Sequence, residues 1–141
     1  MKKSILIALI LAGGLVRFAS GQSFTVTSPD NKLVFVFNNK QYLEYSVKFG
    51  DKVVINPSKL GFEFKDEKPM AGNFAVLDHQ TKAENETWVP VVKSKHAEIL
   101  NNYNELTLKL KEKSDPGRTM ELRVRAYNDG VAFKTRTSKG R

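Results

Sequence analysis

Cysteine is absent from all 141 residues. That excludes disulfide staples, thiolate zinc centres and lipid attachment at an N-terminal cysteine. A fold without staples must stand on its hydrophobic core, and about 120 residues can bury roughly two-thirds of their unfolded surface. Histidine is scarce as well. His79 and His96 lie far apart, without the spacing of a metal site, which needs three or four convergent ligands. They read as surface or structural histidines. No Ser/His/Asp grouping has local support, and neither a phosphate-cradling glycine loop nor a nucleotide fingerprint occurs. The apolar run Ser4–Val16 stops at Arg17, short of the roughly 20 residues a membrane span requires.

What the first residues do carry is an export pattern. Met1-Lys2-Lys3 is a short basic region, Ser4–Val16 an apolar one, and Ala19 and Gly21 are small residues just before Gln22. The expected division is a secretory signal peptide over 1–21, a β-domain over 22–134 and a basic tail over 135–141. The formal charge is +8 for the whole chain, and loss of Lys2, Lys3 and Arg17 leaves about +5. Signs are otherwise mixed. Without a basic stripe in an aromatic or groove-reading context, nucleic acid is not an expected partner.

The dominant hydrophobic period is two. Phe24 and Val26 alternate with polar neighbours. Leu33–Phe37 is apolar on both faces, as in a strand covered on two sides. Leu43, Tyr45, Val47 and Phe49 share a face. Val53–Ile55 and Leu60–Phe64 follow, separated by a break at Asn56-Pro57-Ser58. Residues 66–73 and 81–87 are polar. Trp88–Val92 holds Pro90, which confines it to an edge or bend. Leu106, Leu108 and Leu110 alternate cleanly, as do Leu122, Val124 and Ala126. Asp115-Pro116-Gly117 and Asn128-Asp129-Gly130 mark turns. About nine short strands at this spacing predict an all-β antiparallel sandwich or barrel.

Few residues suggest chemistry. Glycoside hydrolysis needs two carboxyl groups roughly 5–10 Å apart across the sugar. The acidic residues mostly occupy turns or polar strand faces (Asp30, Asp51, Glu63, Asp66, Glu67, Asp115, Asp129), where solvation explains them. Asn101–Glu105 is a polar, aromatic cluster that reads as a hydrogen-bonded turn with Tyr103 packed on the sheet. Trp88 reads as a core residue beside Val89, although an exposed tryptophan on a sandwich could stack on a sugar ring. Trp88 and Tyr103 are thus the candidate sugar contacts.

Six segments in order resemble the N-terminal domain of glycoside hydrolase family 97: Ser28–Leu33 (SPDNKL), Tyr42–Val47 (YLEYSV), Val53–Phe62 (VVINPSKLGF), Glu86–Val91 (ETWVPV), Tyr103–Leu106 (YNEL) and Leu122–Phe133 (LRVRAYNDGVAF). The resemblance implies a β-super-sandwich similar to galactose mutarotase-like domains, here partial. It implies a larger exported α-glucosidase or α-galactosidase from a Gram-negative, Bacteroides-type bacterium, located in the periplasm or on the outer surface. In such enzymes the domain precedes a catalytic (β/α)₈ barrel that holds the acid and the base or nucleophile and acts on α-linked oligosaccharides. A calcium ion is held there by glutamates of the barrel and of the later N-terminal domain. The matched segments reach none of those positions, so no catalytic, cofactor or metal residue is carried over, and the chain is expected to be inactive alone. Lys134–Arg141 departs from the family, which continues with an arginine-tyrosine pair and further strands. That departure reads as truncation or a frameshift. The alternatives are a free-standing secreted carbohydrate-binding sandwich and a non-functional gene fragment.

Overall fold

The computed structural model describes residues 21–92 and 98–138, so the expected signal peptide and His96 lie outside the described residues. Eight strands make up the fold: β1 (Gln22–Thr27), β2 (Leu33–Asn39), β3 (Leu43–Phe49), β4 (Lys52–Leu60), β5 (Phe74–Trp88), β6 (Ile99–Glu112), β7 (Thr119–Ala126) and β8 (Val131–Ser138). They form two four-stranded antiparallel sheets, β1-β2-β3-β4 and β5-β6-β7-β8, each a meander in chain order. The expected all-β sandwich is what forms. β1 lies over β6 and β7, and β2 over β7.

The period-two pattern builds the core. Val26, Leu33, Phe35, Phe37, Leu43 and Val47 of the first sheet meet Phe74, Leu106, Leu108, Leu110, Met120, Leu122, Val124 and Ala126 of the second. On β2 only one face is fully buried; Val34 and Val36, on the other, are half-buried. Both inner faces carry fully buried leucine, phenylalanine or valine, and each such side chain contributes roughly 1.5–3 kcal/mol by leaving water.

Two local expectations change. Asn56-Pro57-Ser58 does not break the chain but runs within β4, with register irregularities against β3. β4 is an edge strand, so the missing proline N–H costs no ladder bond on its open side. The polar stretch 81–87 is strand, because β5 continues to Trp88 paired residue by residue with β6. Finally, β8 runs to Ser138, so residues 135–138 of the expected tail are strand, aligned with Thr119–Leu122 of β7.

The polar stretch after β4 closes one end of the sandwich. Its Met70 is buried in the core, and Phe62 and Met70 exchange backbone hydrogen bonds. Arg118 anchors this loop. Its guanidinium donates to the carbonyls of Lys68 at 3.0 Å and Pro69 at 3.3 Å, while its Nε donates to Glu112 at 2.7 Å. The turn that brings Arg118 back to Glu112 passes through Gly117 at φ +68°, a conformation glycine adopts without Cβ strain.

Candidate functional site

The outer face of the second sheet carries most of the polar chemistry. On β6 the even positions face the core, so Tyr103, Glu105, Thr107 and Lys109 face outward; on β7 the same holds for Glu121, Arg123 and Arg125. Antiparallel register then sets Lys82, Glu105, Arg125 and Ala132 in one row across four strands, and Gln80, Thr107, Arg123 and Lys134 in the next.

Glu105 is the hub of this face. It is only 4% exposed, and Arg125 Nε donates to its Oε2 at 2.6 Å. Arg123 Nε and Lys82 Nζ stand 3.8 and 3.9 Å from its other oxygen. Three cations thus engage one carboxylate. The hydrogen bond to Glu105 is the main cause that holds the Arg125 guanidinium above its ordinary pKa. Lys82 Nζ reaches Glu84 at 3.1 Å, which chiefly raises its pKa.

Tyr103 lies beside this hub. As expected it packs on the sheet, at 4% exposure, but it sits within strand β6 rather than in a turn. Its ring meets Tyr127 at 5.2 Å and lies under Arg125 at 4.4 Å. Trp88 departs from its expected core position: at the far end of β5 it is 50% exposed. Trp88 pairs with Ile99 and Tyr103 with Glu84, so four residues of strand separate them, about 13 Å. The fold therefore does not join them into one aromatic platform. Trp88 alone of the two offers a ring face to solvent.

The second buried carboxylate is Glu112, at the end of β6, bound by Arg118 through both oxygens at 2.7 and 2.8 Å. That guanidinium holds the Glu112 carboxyl below its ordinary pKa against the opposing effect of burial. The arrangement is the reverse of what a general acid needs. Seven residues of strand separate Glu105 from Glu112, about 23 Å. They cannot act across one glycosidic bond, which needs roughly 5–10 Å. The sequence reading singled out Glu105 only as part of the Asn101–Glu105 cluster, taken for a turn, and passed over Glu112. A signal existed for Glu112: it continues the inward run of Leu106, Leu108 and Leu110.

His79 is exposed and tilted against Phe24 at 5.3 Å. Among the described residues no three of His, Asp or Glu stand close enough to hold a metal ion. No residue is assigned to the calcium implied by the resemblance.

Comparison with known proteins decides the family. Residues 26–139 match the family model described as glycosyl-hydrolase 97 N-terminal. The chain belongs to that family. Among curated proteins, it is 28% identical over 134 residues to a retaining alpha-galactosidase of Bacteroides thetaiotaomicron, covering 95% of this chain and 19% of the relative. A family 97 enzyme from Pseudoalteromonas sp. strain K8, solved with panose and with acarbose, is similar with a TM-score of 0.74 and 30% identity. That match covers 79% of this chain and 17% of the enzyme. A beta-arabinopyranosidase shares the fold at a TM-score of 0.69 and 23% identity, over 81% of this chain and 18% of that one. The chain thus spans about a fifth of the length of the relatives it matches.

Proposed function

We propose that this chain is the non-catalytic N-terminal portion of an exported family 97 α-glucosidase or α-galactosidase, and that it supports a catalytic barrel encoded beyond the matched region. The family match over 26–139 carries this reading. The chemistry of the described residues supports it. The two buried carboxylates are each tied to arginine and lie too far apart to flank a sugar. The substrate class of the whole enzyme is then an α-linked oligosaccharide, in keeping with the panose and acarbose complexes of the Pseudoalteromonas enzyme. The export pattern at Met1–Gly21 supports a periplasmic or outer-surface location in a Gram-negative cell. Calcium belongs, in this reading, to residues outside the matched region.

The test is direct. The purified chain is incubated with p-nitrophenyl α-glucoside and α-galactoside and release of nitrophenol is followed. No turnover above buffer is expected. Hydrolysis that survives re-purification would overturn the non-catalytic assignment.

The exposure of Trp88 favours a second reading, a free-standing carbohydrate-binding sandwich. Saturable quenching of its fluorescence by malto-oligosaccharide is the outcome that reading demands. Indifference of the emission removes it and leaves the supporting role.

A further inference from the structure

The outer face of β7 and β8 presents cations where strand pairing disfavours them. Arg123 lies directly opposite Lys134, and Arg125 is two residues along on the same face. Like charges directly opposite across a strand pair destabilise it. The acidic neighbours do not balance this corner. Glu121 takes one nitrogen of Arg123 at 3.1 Å, and Glu105 takes Nε of Arg125 at 2.6 Å with Arg123 Nε 3.8 Å from its other oxygen, so two carboxylates face the three cations Arg123, Arg125 and Lys134. Lys134 has no ion-pair partner among the described residues. Arg123 Nε is buried and makes no hydrogen bond, the Glu105 oxygen standing 3.8 Å from it. Opposite Arg125 stands Ala132, too short to fill the space before it. The result is a hollow of about 240 Å³ lined by Arg123, Arg125, Tyr127, Ala132, Phe133 and Lys134.

We propose that this hollow is a binding site for a small oxyanion group, a sulfate, phosphate or carboxylate, held between Arg123, Arg125 and Lys134. Planar guanidinium groups match oxyanion geometry with several N–H donors, and an ammonium adds a point charge. An anion there would relieve the Arg123–Lys134 repulsion. Tyr127 gives the site an aromatic wall, against which the body of a ligand carrying the anion can lie. The site is separate from Trp88 and does not depend on the carbohydrate reading.

The experiment uses the full chain, isotopically labelled, at fixed ionic strength, with the arginine Nε–H resonances followed by NMR. Inorganic phosphate is titrated in one arm and glucuronate in the other. Saturable shifts of the Arg123 and Arg125 signals are expected in at least one arm; phosphate alone points to a tetrahedral anion, and tighter binding of glucuronate to a sugar-borne carboxylate. Lys134→Ala should weaken binding about tenfold, the value of one charge-assisted contact. Ala132→Glu sets a carboxylate in the hollow, opposite Arg125, and should abolish the titration while leaving the fold's spectrum intact. Linear, non-saturating shifts in both arms would overturn the site, as would binding unchanged by Ala132→Glu.

Discussion

Arg118 and Glu112 show how single residues hold this fold. Each is about 5% exposed, and together they tie the end of β6 to the loop that inserts Met70 into the core. Glu112 has a carboxyl pKa lowered from its ordinary 4.5 by Arg118. The stabilisation this gives is fully present above that ordinary value and is lost as pH falls through the lower, folded one. Urea unfolding measured from neutral pH downward should therefore show stability that begins to fall near pH 4.5. Arg118→Met should cost about 3–5 kcal/mol at neutral pH, since it leaves a buried carboxylate unpaired. The same variant should also lose most of that acid dependence. An acid profile equal to the parent's would show that the ion pair is not its source. At this scale the sequence was half legible. Leu106, Leu108, Leu110, Leu122 and Val124 announce their burial by alternation, and all are at 0–1% exposure. Glu105, Glu112 and Arg118 do not, because a charged residue on a strand reads as solvated until its partner is known. Those partners come from another strand, the next turn or a loop about 50 residues away in sequence.

Among the elements, β5 and β6 depart furthest from expectation. They pair over their whole length, whereas β7 joins β6 only from Asn104 onward. The distal part, near Trp88 and Ile99, is therefore a two-stranded ribbon among the described residues. Such a ribbon is only marginally stable in water. Hydrogen exchange should be fast for amides of 84–88 and 99–103 and slow for 106–110 and 122–126. Uniform protection along β6 would contradict this division. Leu108→Ala, in the slow part, should cost about 2–5 kcal/mol by opening a cavity in a fully packed layer. Sequence reasoning missed the ribbon because 81–87 has no apolar alternation. Neither of its faces is covered there, so the burial that normally writes a period of two into a strand is missing. The break expected at Asn56-Pro57-Ser58 failed for a related reason: proline disrupts a central strand but not the open side of an edge strand. The turns at 115–117 and 128–130 were legible because their residues fix local geometry without help from the rest of the fold.

For the whole molecule, the family and the sandwich were the most legible features. Six ordered segments and a period of two agree with the strand arrangement and with the family match. The topology has a kinetic consequence. Within each sheet every strand pairs with its neighbours in sequence, across connections of a few residues except around 89–98, and the segment around 61–73 carries the chain from one sheet to the other. Hairpins of this kind close in about 1–10 μs, and their loop-closure entropy is small. Each meander can therefore assemble from local events before the other exists, and the slow step should be the meeting of the two apolar faces. In a φ-value experiment, substitutions that weaken contacts within the β6–β7 hairpin should slow refolding. Truncation of Phe35 or Phe37, which meet the opposite sheet, should also slow it if docking limits the rate. An effect on unfolding alone would place docking after the barrier. A ribosome releasing this chain would by the same logic deliver a paired β1–β4 sheet with one greasy face, waiting for the second half of its own core to emerge.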